Sequence, residues 1–346
     1  MNIAQIVYFC AVQTTRILII RFSSIGDIVL TTPVVRRLKL QLEGDIEVHY
    51  LTKKSFASLL TSNPHITKVH TIEKATAEVI EELRELDFDY IIDLHKNVRS
   101  AMVKRDLRGL SFTLDKLNFK KWWFVNFGID RMPKTHIVDR YLDTIRGFGT
   151  EDDAKGLDFF IPEDSEVDLK STPEFLHTGY VALAIGAAHV GKRMSKEQLT
   201  EVLGNIDLPV VLIGGPQDLE LADQLSVNRS QVYNACGKYS VLESASLIRQ
   251  AQVVIAGDTG MMHIASAFGK CIVSVWGCTV PELGMGPYRP HPKSIIIEPK
   301  DLTKRPCSKL GNRCKYGEKD RCITHNSAQG IVRAAQDLFS VAQKVL

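Results

Sequence analysis

The chain has 346 residues, 45% of them hydrophobic and 24% charged, which is enough for two cores of ordinary domain size. Its 43 lysines and arginines nearly balance 40 aspartates and glutamates, and a net charge of +3 does not indicate a nucleic-acid-binding protein. Seven cysteines cannot all pair with one another, so the composition favours a protein of the reducing cytoplasm over a disulfide-stabilised one.

The opening segment, residues 1–12, is apolar but lacks the basic start and the small-residue cleavage site of a signal peptide. It is too short to span a bilayer, and no run of 18 apolar residues occurs after it. We expect residues 1–15 to form an extra strand or a loose extension, and any membrane contact of this protein to be peripheral.

From residue 16 onward, short apolar runs alternate with helical patterns. The predicted strands lie at 17–20, 46–51, 69–72 and 90–94, and the predicted helices at 29–41, 55–60 and 76–86. Strands that alternate with helices form a parallel sheet with helices on both faces. We therefore predict a Rossmann-like N-terminal domain over residues 1–165.

Between residues 150 and 179, acidic residues and prolines separate short apolar pieces, as in a linker. A second series of strands is then predicted at 180–185, 210–213, 232–234, 253–256 and 272–276, and a long amphipathic helix at 327–345. We assign residues 166–330 to a second Rossmann-like domain and expect 331–346 to pack back on the first. The fold class is α/β, with two doubly wound domains facing across a cleft where ligands bind.

The loop after the first predicted strand places the carboxylate of Asp27 at the start of a helix. Free backbone N–H groups there stabilise a negative charge, so Asp27 is either a helix cap or a functional acid in the cleft. Gly26 lets a ligand approach the backbone, while Ser23 and Ser24 offer hydroxyls to an acceptor. The loop has neither G-x-G-x-x-G nor a Walker A pattern, which argues against an oxidoreductase or a kinase.

A loop of the second half suits a diphosphate. Gly186 and Ala187 are small, and they precede two adjacent cations, Lys192 and Arg193. Lysine offers a compact charge and arginine can contact two phosphate oxygens at once. The alternative is a solvated pair of cations on a loop.

Two further loops extend the predicted diphosphate site. Gly214 gives one of them the flexibility to wrap a nucleoside, and Asp218 can accept hydrogen bonds from ribose hydroxyls. In the other, an apolar strand leads into a helix start whose free N–H groups form an anion site. The predicted ligand contacts of that segment are Asp258, Thr259, Gly260, Met261 and His263. For His263, a packed, hydrogen-bonded histidine is the alternative.

Residues 116–140 are basic and aromatic, with Lys121, Trp122 and Phe124 at their centre. Cations and amphipathic rings together suit a phosphorylated glycolipid at a membrane surface. Alternatively, the rings pack in the core and the lysines are solvated.

Near the C-terminus, Cys307, Cys314, Cys322 and His325 are spaced C-x6-C-x7-C-x2-H. Three sulfurs and one nitrogen can bind zinc, but the spacing lacks a close C-x2-4-C pair. We expect a reduced structural cluster or a loop disulfide, and assign no metal and no cofactor to the reaction.

Taken together, these motifs resemble those of the heptosyltransferase family of glycosyltransferases, from residue 16 to the C-terminus. The motifs that carry the resemblance are Ser-Ser-Ile-Gly-Asp, Gly-Ala with Lys192, Gly-Gly-Pro-x-Asp, Asp-Thr-Gly-x-x-His-x-Ala, and Gly-Cys-Thr-x-Pro followed by Gly286-Pro287-Tyr288.

The resemblance implies a GT-B fold in which the N-terminal half binds the acceptor and the C-terminal half binds an ADP-linked heptose. It implies inverting transfer without a required metal, with Asp27 as general base, Lys192 as phosphate contact and residues 258–263 as the donor segment. The acceptor implied is the anionic inner core of lipopolysaccharide, either lipid A-Kdo or a heptosyl residue. The expected partners are thus an ADP-activated sugar, this glycolipid and, transiently, the inner face of the cytoplasmic membrane.

Three positions depart from the family pattern. Met194 stands where an aromatic residue is frequent, and Cys278 where proline or serine is commoner. After the fourth strand the family usually carries Gln-Gly, whereas this chain has a basic loop. The acceptor contacts we predict from that loop are His95, Lys96 and Arg99.

Two rival functions remain open at this point, because a fold does not determine a function. One is a nucleotide-sugar epimerase or hydrolase, which acts on the donor alone. The other is a non-catalytic protein that binds sugar nucleotides, which would tolerate Asp27→Asn in every assay.

Overall fold

The computed structural model describes residues 14–317 and 321–343. The predicted extension therefore lies outside the described residues except for Thr14 and Thr15, which begin the first strand. Two parallel sheets organise the chain, as predicted. The first has five strands in the order β3-β2-β1-β4-β5. Its strands are β1 (Thr14–Ile20), β2 (Asp45–Lys53), β3 (Lys68–Ile72), β4 (Tyr90–Asp93) and β5 (Leu110–Thr113).

The central position of β1 follows from its composition. Residues 17–20 are all aliphatic and fully buried, and they pair in parallel with β2 on one side and β4 on the other. A strand covered on both faces needs such a continuous apolar run. The sequence analysis missed β5, because this edge strand is exposed on most of its length and Leu110 is 61% exposed.

Residues 14–165 of the first half contain six α-helices. They are α1 (Ile25–Val29), α2 (Thr32–Gln41), α3 (Ile80–Glu85), α4 (Val98–Leu107), α5 (Asn118–Phe127) and α6 (Ile137–Asp143). The helix predicted at 29–41 begins at Thr32, where Pro33 fits the first turn because it has no N–H to donate, and the separate short helix α1 ends before it at Val29. The helix predicted at 55–60 is a 3-10 helix, Lys54–Leu59.

The second sheet has six strands in the order β11-β10-β9-β6-β7-β8. The strands are β6 (Val181–Ala184), β7 (Val210–Ile213), β8 (Val232–Asn234), β9 (Val253–Gly257), β10 (Cys271–Val275) and β11 (Ile295–Ile297). The helices are α7 (Lys196–Asn205), α8 (Leu219–Ser226), α9 (Val241–Gln250), α10 (Gly260–Ala267) and α11 (Ala328–Gln343).

The expectation that the C-terminal helix packs back on the first domain is wrong for the residues described. Helix α11 lies on the second sheet, against α7 and strands β9 to β11. Ile331, Ala335 and Leu338 repeat at helical spacing and are almost completely buried in the core of that half. This buried stripe holds the helix on its own domain.

The segment that connects the two sheets forms ion pairs and hydrogen bonds with both halves. Arg36 on α2 is buried and pairs with Asp153 at 2.8 Å and, at close range, with Asp158. On the far side, Glu166 accepts a hydrogen bond from Ser246 of α9 at 2.7 Å. The proposed domain boundary at 165 and 166 falls within this connecting segment.

The two halves also contact each other directly, since α1 packs on α10. The backbone N–H of Ile137 donates to Gly284 O at 2.8 Å, and the Tyr288 hydroxyl donates to Asp139 at 3.0 Å. These contacts bring the carboxyl ends of both sheets to one cleft. In the described part of the chain, no helix combines the length and the apolar character that a membrane crossing requires.

Candidate functional site

A cavity of about 950 Å³ lies between the carboxyl ends of the two sheets, within the size range of small-molecule sites. From the first half, its lining includes Arg21, Ser24, Gly26, Asp27, Lys116, Asn118 and Lys121. From the second half, it includes Gly186, Ala187, Lys192, Arg193, Gly214, Asp218, Asp258, Thr259, Gly260, Met261 and His263. The loops predicted to bind the donor therefore all meet at one cavity.

Asp27 lies in the first turn of α1 and faces this cavity with a side chain that is 24% exposed. Its Oδ2 accepts hydrogen bonds from the backbone N–H of Ser24 at 3.2 Å and from the Ser24 hydroxyl at 2.8 Å. Its Oδ1 lies 2.6 Å from a guanidinium nitrogen of Arg21. Asp27 therefore both caps the helix and presents a carboxylate to the cavity.

The pKa of Asp27 is held below its ordinary value. Burial acts in the opposite direction, but the charge of Arg21 and the two hydrogen bonds from Ser24 outweigh it. The carboxyl group is therefore ionised at neutral pH. A carboxylate of such low basicity accepts a proton only from a group that becomes strongly acidic during the reaction.

Arg21, which the sequence analysis missed, holds Asp27 from the end of β1. Its Nε donates to Ser23 O at 2.8 Å and another guanidinium nitrogen donates to Leu94 O at 2.6 Å. The guanidinium also lies 6.0 Å from the centre of the Tyr141 ring. The available signal was an arginine directly after a buried strand and six residues before a cleft-facing acid.

Two lysines add positive charge to the same wall. Burial lowers the pKa of Lys121 to about 8, and the charge of Arg140 acts in the same direction. The pKa of Lys116 is also lowered, first by burial and then by Arg21. Both lysines belong to the basic, aromatic stretch predicted from the sequence. Crowded cations of this kind favour an anionic ligand, which would relieve their repulsion.

On the opposite wall, Lys192 is paired with Asp258. Its Nζ lies 2.7 Å from Asp258 Oδ2, and the same oxygen accepts a hydrogen bond from the Thr279 hydroxyl at 2.8 Å. The side chains of Lys192 and Asp258 are only 18% and 7% exposed. An ammonium group has three N–H donors, so this pairing orients Lys192 and leaves two donors for a ligand.

Helix α10 points its N-terminus at the cavity. Thr259 precedes the helix in an extended conformation, and its buried hydroxyl has no hydrogen-bond partner among the described residues. The first N–H groups of an α-helix have no partner within the helix and attract anions. Thr259 and the N–H groups beginning at Gly260 therefore form an anion site in the cavity wall.

His263 joins the two halves of the site. Its side chain is buried, its Nδ1 has no partner among the described residues, and burial lowers its pKa to about 4. It is therefore neutral at neutral pH. It packs so closely against Gly26 that a Cβ added there would lie 2.6 Å from the ring. Neither sequence-based alternative alone describes this residue, since it is tightly packed and also lines the cavity.

The loops predicted to hold a nucleoside are built around Asp218. Its Oδ2 accepts a hydrogen bond from the Gly215 N–H at 3.0 Å, and a Cβ at Gly186 would collide with this oxygen at 2.3 Å. Arg193 donates to Ala187 O at 2.6 Å and lies 3.9 Å from Asp218. Asp218 thus shapes the glycine loops as well as lining the cavity.

Four predicted acceptor residues do not line the cavity. Ser23 and Arg99 lie outside the lining; Ser23 instead offers its carbonyl oxygen to Arg21, and Arg99 is exposed on α4. Acceptor binding by Ser23 and Arg99 therefore stays a prediction, whereas Ser24 and Gly26 line the cavity.

His95 and Lys96 also lie outside the lining. Their backbone N–H groups donate to Asp93 Oδ1 at 3.0 and 2.7 Å, which folds the loop onto the end of β4. The His95 ring then packs edge-on against Phe22, with ring centres 5.2 Å apart. The cations of the first half that do line the cavity are Arg21, Lys116 and Lys121.

Comparison with known proteins identifies the family of this chain. The family model of glycosyltransferase family 9 (heptosyltransferase) matches residues 76–315. A lipopolysaccharide heptosyltransferase 1 of Campylobacter coli is 24% identical over 350 residues, covering 94% of this chain and 99% of that protein. A lipopolysaccharide heptosyltransferase 3 of Escherichia coli K12 is 25% identical and covers 78% of this chain and 84% of that protein.

Solved structures share the fold. A family 9 glycosyltransferase from Veillonella parvula superposes with a TM-score of 0.73 at 22% identity, covering 94% of this chain and 98% of that chain. The ADP-heptose lipopolysaccharide heptosyltransferase II of E. coli superposes with a TM-score of 0.71 at 18% identity, covering 95% and 100%. The fold is thus of the GT-B type, and because the family model covers more than half of its length, this chain belongs to glycosyltransferase family 9, the heptosyltransferases.

Proposed function

We propose that this protein transfers heptose from ADP-heptose to the inner core of lipopolysaccharide, either lipid A-Kdo or a heptosyl residue, with inversion and with Asp27 as general base. One observation carries the proposal: an ionised carboxylate on one wall of the cavity faces an anion site on the other. The names of the relatives in C. coli and E. coli support the lipopolysaccharide acceptor. The name of the E. coli structure supports the donor.

The reaction divides between the two walls. The acceptor oxygen attacks the anomeric carbon as the bond from that carbon to the diphosphate oxygen breaks. The acceptor proton passes to the Asp27 carboxylate, and ADP leaves with the bonding electrons. Because the pKa of Asp27 is low, this proton moves late, when the acceptor oxygen has already lost electron density to the new bond.

The departing diphosphate gains negative charge in this step. Lys192, oriented by Asp258, and the first N–H groups of α10 are the groups that stabilise it. His263 is neutral and buried beside Gly26, where it keeps the acceptor wall and the donor wall in contact. Thr259 offers a free hydroxyl at the same point.

The acceptor would enter past helix α5. Phe119, Trp122 and Phe127 are 70%, 45% and 59% exposed on this helix, so the alternative in which Trp122 packs in the core does not hold. Lys121 and Asn118 of the same helix line the cavity. Exposed rings beside half-buried cations suit the surface of an anionic membrane and the phosphates of a glycolipid.

A single set of assays tests this proposal. Asp27→Asn should keep its affinity for ADP but lose transfer by ~10² to 10⁴-fold, the usual contribution of a general base. Asp143→Asn, an exposed acid on α6, is the control and should behave as the parent protein. Affinity is measured by calorimetry, and transfer by ADP release with and without a lipid A-Kdo acceptor.

The outcomes separate the rival functions. Release of ADP without acceptor would identify a hydrolase, and conversion of the donor to an isomer would identify an epimerase. Unchanged behaviour of Asp27→Asn in every assay would point to a non-catalytic binding protein. Thermal shifts with ADP, UDP and GDP test the donor base, because a ligand at 100 times its Kd stabilises a protein by about 2.7 kcal/mol.

A further inference from the structure

Four cysteines gather behind the donor wall of the cavity. Cys278 follows β10, and Cys307, Cys314 and Cys322 come from the basic segment before α11. Their four sulfur atoms all lie within 4.8 Å of one another. The sulfur of Cys307 lies 3.2 Å from that of Cys322 and 4.0 Å from that of Cys314, and the latter two are 3.4 Å apart.

These distances fit a tetrahedral metal site better than the arrangements expected from the sequence. Metal–sulfur bonds of ~2.3 Å in a tetrahedron separate the sulfurs by about 3.8 Å. All six described cysteines are free, so the loop disulfide is not formed in this structure. The sequence analysis counted His325 as the fourth ligand, but His325 lies outside the group and its ring neighbours Tyr316.

The surroundings are those of a closed site. Cys278, Cys307 and Cys322 are completely buried, and Cys314 is partly buried. The backbone N–H of Cys322 donates to Cys314 Sγ at 3.4 Å, an interaction that stabilises a thiolate. A divalent cation at this point would neutralise half the charge of four thiolates.

The remaining charge is matched by the segment itself. A divalent cation with four thiolates carries a net charge of about −2. Residues 300–321 contain eight lysines and arginines but only three acidic residues. One of these cations, Arg305, is almost buried. It donates to the carbonyl oxygens of Gly277 at 2.7 Å and Thr279 at 3.1 Å, on either side of Cys278.

We propose that Cys278, Cys307, Cys314 and Cys322 bind one thiophilic divalent cation, Zn²⁺ or Fe²⁺, in a structural site. A set of four thiolates leaves no position open for a substrate, so the metal does not take part in the chemistry. This replaces the expectation of a reduced cluster or a disulfide, which rested on three cysteines without Cys278.

The site braces the loop that carries Lys192. The N–H of Cys278 donates to Gly191 O at 3.3 Å, and the N–H of Gly191 donates to Gly311 O at 3.0 Å. A Cβ at Gly191 would lie only 2.7 Å from Cys278 Sγ. Because the loop before Lys192 is clamped between two segments of the cluster, the metal is a positioning element for the phosphate contact.

The same segment reaches across the cleft. Lys309 donates to Asn118 O at 3.0 Å, and Lys315 donates to Val125 O, both on helix α5. By ordering this segment, the cation would stabilise its contacts with helix α5 across the cleft.

Metal content tests the inference independently of any transferase activity. Protein purified from cells grown in rich medium should contain one equivalent of zinc or iron per chain by mass spectrometry of the elements. Cys307→Ser and Cys314→Ser should lose most of it. Cys236→Ser is the matched control, because Cys236 is also completely buried but is not one of the four clustered cysteines. Its thiol instead donates to Leu212 O at 3.6 Å.

Two further measurements cover variants that fail to fold. Treating the parent protein with a mercurial reagent should release the metal into a colorimetric indicator as the thiols react. Replacement with Co²⁺ should give the intense visible absorption of a tetrahedral tetrathiolate centre. Metal-free protein with four reactive thiols, or a disulfide within the cluster found by mass spectrometry, would overturn the inference.

These results are separable from the proposed transfer reaction. Loss of metal should weaken ADP binding through the Lys192 loop, while a metal-bound protein that transfers no heptose would contradict only the proposed function.

Discussion

The guanidinium group of Arg21 and the carboxylate of Asp27 form an ion pair of 2.6 Å within the wall of the cavity. This pair sets the basicity of the acid that we propose as the catalytic base. Arg21 itself is held by two backbone carbonyl groups, so it keeps its position when the carboxylate changes its charge.

The pair predicts a specific dependence of transfer on pH. Asp27 acts as a base only when ionised, and its pKa lies below the ordinary value of ~3.9, so activity should not decline from loss of this charge between pH 7 and pH 5. In Arg21→Gln the lowering charge is gone and burial raises the pKa. The acid limb of the kcat profile should then move to higher pH.

Arg21→Lys is the control for this shift, because it retains the positive charge and should keep the acid limb close to that of the parent. A profile of Arg21→Gln that coincides with the parent profile would show that Arg21 does not set the pKa of the catalytic acid.

Lys192 is predicted to act on the leaving group. Removal of one such electrostatic donor costs roughly 2.7 to 4 kcal/mol in comparable sites, so Lys192→Ala should transfer heptose about 10² to 10³-fold more slowly and bind ADP more weakly. Lys196→Ala, at the exposed start of α7, should leave both unchanged. If Lys192→Ala matches the parent in rate and affinity, the phosphate role passes to Arg193 or to neither residue.

The contact between Gly26 and His263 allows a prediction about the interface between the two halves. An added methyl group at Gly26 would overlap the imidazole, so Gly26→Ala should destabilise the protein by ~1 to 3 kcal/mol and reduce transfer. Adding His263→Ala should restore part of the stability but not the activity. Gly147→Ala, where the added atom meets nothing within 4 Å, is the control for thermal unfolding.

If both single variants and the double variant show strictly additive losses of stability, the two residues do not touch in solution.

Helix α5 is predicted to bind anionic membranes. Phe119→Ser with Trp122→Ser should reduce co-sedimentation with phosphatidylglycerol vesicles by several-fold, because both rings are exposed beside the basic entrance. Leu40→Ser, which removes a similarly exposed apolar side chain from α2, should have no effect. Binding that is insensitive to both the anionic lipid and the rings would contradict a membrane role for α5.

Much of the fold and part of the site could be predicted from local patterns. The central strands of both sheets were predicted to within one or two residues for the most part, because a buried parallel strand is a continuous apolar run. The carboxyl ends of parallel strands meet at one edge of a sheet, so Asp27, Lys192 and Asp258 could be assigned to one cleft without coordinates. The resemblance to the family rested on these same loops.

Only the tertiary structure decided which side chains meet. The pairing of Arg21 with Asp27, the packing of His263 on Gly26 and the approach of Cys278 to Cys307 all depend on how separate segments dock, and no periodicity records that. The position of the His95 and Lys96 loop depends on the same kind of contact, since both backbone N–H groups donate to Asp93 at the end of β4. Periodic patterns report burial along one element, whereas contacts between elements depend on packing over the whole chain.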